Sequence, residues 1–388
     1  MTLAFSWRGE RKFSAGWKFA DQIWILRRQF EPSIHQVQMY CMLVLYSHAL
    51  STPQVSWLYL GLGIRFLQQR GEHRRKLEGR KHCHEDELWN RAFWSFVVLD
   101  RHMSAFLGRP MAFHVEEYDV EPPLEVDDEY WDHGFTQPPN QPSQLSYFVA
   151  NLRINEIMGD VMRRLYGSKK SKILMGWDGP DWEPRTVAEL DSAVNNFEGS
   201  IPTHLRWNPE NPPHGTFFDQ SATLHITYNY VRIAIHRQYI QKATVLAAPS
   251  LSICAGAARA VLHTADAWLR KRQVLPLPNV VNPVFVSGII LVLNMLATKR
   301  AGLALDKKNK DFDLVATAME ILKFSETRLQ PMFTDPAAYD ANTIFDDELM
   351  SMWMAAPTDV ANINNWDVYM DNRNGTEVNW FANFAVQQ

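Results

Sequence analysis

Cysteine is scarce in this chain. Among 388 residues only Cys41, Cys83 and Cys254 occur, far apart and with no Cys-x-x-Cys pair. That excludes a disulfide framework or a cysteine-built metal cluster and suggests a reducing compartment. Positive charge is in short supply too. From 331 to 388 nine acidic residues face Arg373 alone, so the formal net charge of −4 joins a mildly basic body to an acidic end. So slight a basic excess is too little for an autonomous nucleic-acid binder. Long apolar runs are missing as well. The most apolar stretch, Val284 to Ala297, follows Pro283 and contains Asn294, and it reads as a buried helix too short to cross a bilayer. At the N-terminus, Arg8, Arg11 and Lys12 interrupt the apolar residues too early for a secretory leader, so the sequon Asn374-Gly375-Thr376 is read as chance.

Catalytic motifs are absent or broken. Gly61-Leu62-Gly63 opens like a dinucleotide fingerprint, but Phe66 takes the third glycine position inside a helical pattern. His84-Glu85 begins like a zinc-protease helix, yet Leu88 stands at the second ligand position. Asp127-Asp128 lacks the third aspartate of a magnesium-diphosphate motif, because Trp131 stands there and Asp132 comes one residue late. The carboxylates of residues 116 to 132 are therefore expected to form a hydrated loop. No Gly-x-Ser-x-Gly elbow or phosphate-binding loop occurs. His82, Cys83 and His84 are adjacent and diverge, which makes a solvated turn the simpler reading than a metal site. Lys169, Lys170 and Lys172 read as a solvated cluster. The sequence thus predicts no catalytic residue and no cofactor.

What is present is helical periodicity. Val55, Leu58, Leu62 and Phe66 form one apolar stripe and Trp57, Leu60, Ile64 and Leu67 a second, so this helix is expected to be buried on two sides. From Asp86 to Leu107, Leu88, Ala92, Phe96, Leu99, Met103 and Phe106 make a stripe that Trp89, Phe93, Val97 and Val98 widen. Glu85, Asp86 and Glu87 suit the positive end of that helix, and Gly108-Arg109-Pro110 supplies its stop. Further helices are expected near 145–165, 187–197, 220–242, 250–272, 284–301 and 312–329. No alternating strands, fixed-period repeat or sustained heptad pattern occurs. The expected fold class is all-α, a multi-helical globular body over 34–330 with a Pro-rich connector at 136–144. Residues 1–33 read as an N-terminal remnant or linker, and 331–388 as a disordered acidic-aromatic tail.

Two segments carry a family likeness. VSWLYLGLGIRFLQQRGEHRR supplies Trp57, Gly61, Arg65, Gly71, His73 and Arg74, and EDELWNRAFWSFVVLDRHMSAFLGRP supplies Phe93, Trp94, Leu99, Asp100, Arg101, Ser104, Gly108, Arg109 and Pro110. In that order and spacing they resemble the regulatory domain of fungal zinc-cluster transcription factors of the xylanolytic-activator type. SKILMGWDGPDWEPRTVAELDSAV and IPTHLRWNPENPP extend the resemblance, which covers most of 34 to 305. It implies a non-catalytic regulatory domain acting in the nucleus. DNA and zinc would be bound only by an N-terminal six-cysteine cluster of the intact factor, which these three cysteines cannot build. The chain then reads as the regulatory body without the DNA reader: a truncated gene model, a fragment or a variant. Expected partners are a small-molecule inducer, a second copy of the chain, and transcriptional coactivators met by 331–388; no membrane is expected.

Two charges inside otherwise apolar helices, Arg65 and Asp100, are either at wet edges or paired with one another, with Arg91, Arg101 and Arg109 as rival partners for Asp100. Trp57, Tyr59, Trp89, Phe93 and Trp94 read as core before inducer pocket. After Pro331, Trp353, Trp366 and Trp380 stand among acids, the composition of an amphipathic activation segment. Two other classes stay open: an α-helical enzyme acting on a hydrophobic substrate, which needs carboxylates or a metal set converging in a pocket, and a helical scaffold, which needs a long shared concave face.

Overall fold

The computed structural model describes residues 33–49, 52–74, 82–177, 179, 181–240, 242, 244–274, 278–300 and 310–329. The remnant expected at 1–33 and the tail expected at 331–388 lie outside these residues. Among the described residues every regular element is helical: α1 (Ile34–Ala49), α2 (Pro53–Arg70), α3 (His84–Leu107), α4 (Leu145–Arg164), α5 (Lys169–Leu174), α6 (Trp182–Ser200), α7 (Thr216–His236), α8 (Ala247–Arg272), α9 (Pro278–Arg300) and α10 (Lys310–Leu329), with four short 3-10 turns between them. The all-α expectation holds.

Local chemistry sets the ends. The Ser33 hydroxyl accepts the Gln36 amide and starts α1, a helix the periodicity did not single out. Pro53 opens α2, where the missing amide costs nothing, and Gly71 closes it in the left-handed region at φ 83°. At the start of α3 the Cys83 amide and thiol both donate to the Asp86 carboxylate, a reciprocal cap in which cysteine takes the usual hydroxyl's place. Gly108, at φ 62°, ends α3 as the sequence predicted.

Two apolar cores result. In the first, α1, α2 and α3 pack together around Tyr40, Leu60, Ile64, Leu67, Trp89, Phe93 and Phe96. In the second, α6 to α10 enclose Leu190, Val231, Val261, Leu291 and Ile321. Helix α4 joins them, giving Leu152 to the first and Ile154, Met158 and Val161 to the second.

Two expectations need correction and a third gains detail. First, α2 is buried on one face only, through Ser56, Leu60, Gly63, Ile64 and Leu67. Leu58 is 60% exposed, and Val55 and Trp57 are also exposed. Both α1 and α3 lie against this side of α2, so Val55, Trp57 and Leu58 near its start stay exposed, while Leu62 and Phe66 are half-buried, Phe66 stacked on Tyr40 at 5.4 Å. Second, the apolar helix does not start at Val284. As α9 it runs 23 residues from Pro278, because Pro283 falls near enough to the helix start to be carried inside it. By length and composition Asn279–Arg300 would cross a membrane, yet it is packed against α8 and α10 with Val284, Ser287, Ile290 and Leu291 buried. Third, the Pro-rich connector is anchored. The Asp127 carboxylate accepts the Ser143 hydroxyl and the Gln144 amide, both at 2.9 Å, and the Gln137 side chain bonds Asp127 at both its amide and its carboxylate.

Candidate functional site

The chemistry-bearing residues of the likeness meet on α3, whose buried face carries ionised groups among aromatic rings. Asp100 is fully buried, and its carboxylate accepts the Ala112 amide at 3.0 Å, the Phe113 amide at 3.1 Å and Arg101 Nη1 at 2.9 Å. Burial pushes the Asp100 carboxyl upward, while Arg101 and the amides of Phe113 and Ala112 pull it back. Since each of these neighbours donates, the pocket is shaped for the carboxylate. The Arg101 guanidinium donates on to the Phe113 carbonyl at 2.8 Å and to the Tyr118 hydroxyl at 3.3 Å, which in turn donates to Glu156 on α4. A side chain at Gly159 would come within 2.8 Å of Arg101 Nε, so α4 can lie against the guanidinium only because residue 159 is glycine.

Arg65 is not the partner of Asp100. It is exposed and donates to Gln68 one turn on, at 2.9 Å. The rival Arg91 serves another carboxylate, Glu87, which is 0% exposed and also accepts the Leu124 amide and the His82 ring. From there Arg91 reaches Asp128 at 2.6 Å and the Val126 carbonyl at 2.9 Å, with its guanidinium 4.5 Å from the centre of the Trp131 ring. Trp94 adds a bond from its indole to the Glu121 carbonyl, and the His73 carbonyl accepts the Asp119 amide. The acidic run 116–132 keeps most of its carboxylates exposed, as expected of a hydrated loop, but its backbone is a strap held along α3 by Glu87, Arg91 and Trp94.

The signature divides by environment. Phe93, Trp94, Asp100, Arg101 and Ser104 are buried, and the Ser104 hydroxyl donates to the Pro110 carbonyl at 3.3 Å. Gly71 and Gly108 are left-handed stops. Trp57, Arg65, Arg74, Arg109 and Pro110 face outward, His73 is partly buried, and nothing stands within 4 Å of a side chain placed at Gly61. Of the five aromatics weighed as a pocket, Trp89, Phe93 and Trp94 are core. Sequence reasoning missed Gly63, Gly159 and Glu87. Gly63 was legible only as half a broken fingerprint, though its true role is to let the Phe96 ring lie where a Cβ would stand, 2.1 Å from Cε1.

The remaining polar clusters are structural. His82 bonds Glu87, Cys83 serves the Asp86 cap, and the rings of His82 and His84 both pack against Phe135. No group of three His, Cys, Asp or Glu side chains suited to a metal occurs among the described residues. Lys169 and Lys170 are exposed, but Lys172 turns inward and donates to the Leu165 carbonyl at 2.8 Å. One constellation has hydrolase chemistry in outline. His236 stands between Asp191 Oδ1 at 3.0 Å and Ser250 Oγ at 3.1 Å. Ser250 is 0% exposed, so no substrate carbonyl reaches its hydroxyl, and the three residues bond α6, α7 and α8 together instead.

The pattern defining the fungal specific transcription factor domain matches residues 11–174, the stretch containing α1 to α5 and the strap. The chain is 25% identical over 211 residues to activator of stress genes 1 of Saccharomyces cerevisiae, covering 53% of this chain and 21% of that protein. It is 26% identical over 182 residues to the transcriptional activator protein acu-15 of Neurospora crassa, 46% of this chain and 19% of that one. An uncharacterised transcriptional regulatory protein of Schizosaccharomyces pombe matches at 25% over 284 residues, 68% of this chain and 35% of its own length. The chain thus spans about a fifth to a third of the length of these relatives. No solved structure matches it. Residues 11–174 are thus similar to the fungal specific transcription factor domain, and the relatives matched are transcriptional regulators.

Proposed function

We propose that this chain is the non-catalytic regulatory module of a nuclear transcription factor of the xylanolytic-activator type, taking part in DNA-templated regulation of transcription. The observation that carries this reading is the use made of the signature. Asp100, Arg101, Trp94 and Ser104 spend their bonding capacity on the segment 110–121 of the same chain. Such a lock fixes the relation between α3, the strap and α4, which is what a signal-relaying body requires and what a catalytic centre, with reactive groups open to substrate, does not. Zinc and sequence-specific DNA contact belong in this reading to a cysteine cluster of the intact factor. Coactivators are met by residues 331–388, and a second copy of the chain and a small inducer are the other expected partners.

The test is a one-hybrid experiment with electrophoretic retardation beside it. Fused to an unrelated DNA-binding domain, the full chain activates a reporter, and truncation at Gln330 or replacement of Trp353, Trp366 and Trp380 by Ala lowers the signal at unchanged protein level. The chain alone gives no sequence-specific retardation at physiological salt. A silent full-length fusion, or specific retardation that survives a chelator, overturns the reading.

A further inference from the structure

Helix α2 turns one face away from α1 and α3. Its buried side, centred on Leu60, Ile64 and Leu67, meets them. On the opposite side the helical repeat brings Gln54, Leu58, Gly61, Arg65 and Gln68 into one row, with Trp57 at its edge. Trp57 and Leu58 are exposed, as is Arg65, which among the described residues holds only Gln68 of its own helix. A side chain placed at Gly61 would meet nothing within 4 Å. Two large apolar side chains beside an open glycine leave a notch, and a second helix comes nearest where no Cβ intervenes.

The row is also self-complementary. A two-fold axis at Gly61 that sets a second α2 antiparallel to the first places each residue opposite the one equally far beyond Gly61. Trp57, four residues before it, then faces Arg65, four after, and Gln54, seven before, faces Gln68, seven after. Each pairing occurs twice. A guanidinium over an indole face is a favourable contact, and two amide side chains supply each other with donor and acceptor. The two Arg65 side chains stand eight residues apart in this register, about 12 Å along the axis, so like charges do not meet. One patch that serves both copies is what an isologous interface requires.

We infer that the outer face of α2 is a homodimer interface, in which two copies of this chain cross antiparallel at Gly61. Trp57 of each copy stacks on Arg65 of the other, and Leu58 flanks the crossing. A single helix crossing is small beside the interfaces of permanent dimers, so the association is reversible, with a dissociation constant of about 1 to 100 μM. The inner side of α2 packs on α3, which carries the Asp100–Arg101 lock, so the dimer face and the lock share one pair of packed helices. The inference rests on the second copy expected in the regulatory reading and gives that partner a surface.

Sedimentation equilibrium of the full chain from about 1 to 200 μM is expected to show monomer passing to dimer. Gly61→Leu, which fills the notch, and Arg65→Met, which removes the cation, are each expected to raise the dissociation constant by about tenfold or more. Neither lowers the melting temperature of the dilute chain, because both side chains point to open space. Disulfide trapping reads the register. On mixing, a Trp57→Cys chain is expected to cross-link to an Arg65→Cys chain, since these positions face each other and the second Trp57–Arg65 contact is kept. Each variant alone should cross-link no more than the parent, since like positions lie about 12 Å apart. A chain that stays monomeric at about 200 μM overturns the interface. If the indole resonance lost in Trp57→Phe is then shielded from a soluble paramagnet, another segment of the same chain covers the face. A dimer unaffected by Gly61→Leu and Arg65→Met also overturns it, and self-cross-linking as strong as cross-linking in the mixture overturns the antiparallel register. A monomeric chain beside an active reporter fusion removes the interface alone, whereas a silent fusion beside an intact dimer removes the regulatory reading alone.

Discussion

At the scale of single residues, burial separates side chains that sequence spacing makes look equivalent. Arg65 and Arg101 both stand within apolar stripes, but only Arg101 is sealed against Asp100. Asp100→Ala is expected to cost about 3 to 5 kcal/mol in denaturant unfolding, since it leaves a buried guanidinium and two amides without their acceptor. Arg65→Met is expected to change stability by less than about 0.5 kcal/mol. A double-mutant cycle should show coupling for Asp100 with Arg101 and none for Asp100 with Arg65; strong coupling to Arg65 would refute the assignment. Two glycines two residues apart give a second contrast. Gly63→Ala forces the Phe96 ring out of place, because its methyl would fall 2.1 Å from that ring, and is expected to destabilise by about 1 to 3 kcal/mol. Gly61→Ala meets open space and is expected to stabilise by up to about 1 kcal/mol through helix propensity. Thermal melts in which both changes go the same way would contradict the packing of α2 on α3.

At the scale of elements, the contact of α1 and α2 with α3 carries a pH dependence. His48 on α1 and His102 on α3 are both pushed down to about 4 by burial, and for His48 the neighbouring His102 adds to the effect. His48 Nδ1 lies 2.9 Å from the Met103 sulfur, a poor acceptor for a charged ring. Both groups bind protons more weakly in the folded chain than in the unfolded one. Their contribution is therefore fully present above the unfolded value near 6.5 and is lost as pH falls from there towards about 4. Each neutral ring is worth up to about 3 kcal/mol over that window, so melting temperature should fall steeply below pH 6. His48→Gln together with His102→Leu should flatten the slope, and an unchanged slope would show that the pH response arises elsewhere. The helix boundaries read from sequence were nearly right for α4, α8 and α10, because Pro, Gly and polar punctuation flank apolar stripes there. Helix α1 was not singled out although Val37, Tyr40 and Val44 recur at helical spacing, and its burial comes from these and Leu43 meeting α2 and α3.

At the scale of the whole molecule, α4 makes the two cores dependent on each other, with Leu152 in one and Ile154 in the other. The described helices are expected to unfold in one transition, with tryptophan fluorescence and far-ultraviolet circular dichroism coincident. Ile154→Ala should lower that single transition by about 2 to 5 kcal/mol through the cavity it leaves. Two separated transitions would show that the cores are independent. The bidentate pair of Arg259 on α8 with Asp311 on α10, at 2.7 and 2.8 Å, holds the last helix to the same unit.

Sequence alone determined the all-α class, the stops at Gly71 and Gly108, and the likeness to fungal transcription factor domains, because these depend on local periodicity, on backbone conformations only glycine adopts easily, and on an ordered set of residue types. Tertiary structure decided the rest. Which stripe of α2 is covered depends on α1 and α3 arriving from the same side, and which cation serves Asp100 depends on where the 110–118 segment folds back. The acidic run becomes a strap only because Glu87 and Arg91, which the sequence assigned to the helix dipole and to Asp100, meet its backbone. Periodicity reports how a helix faces a core; it does not report which partner arrives there, since that is fixed by contacts between residues distant in the chain.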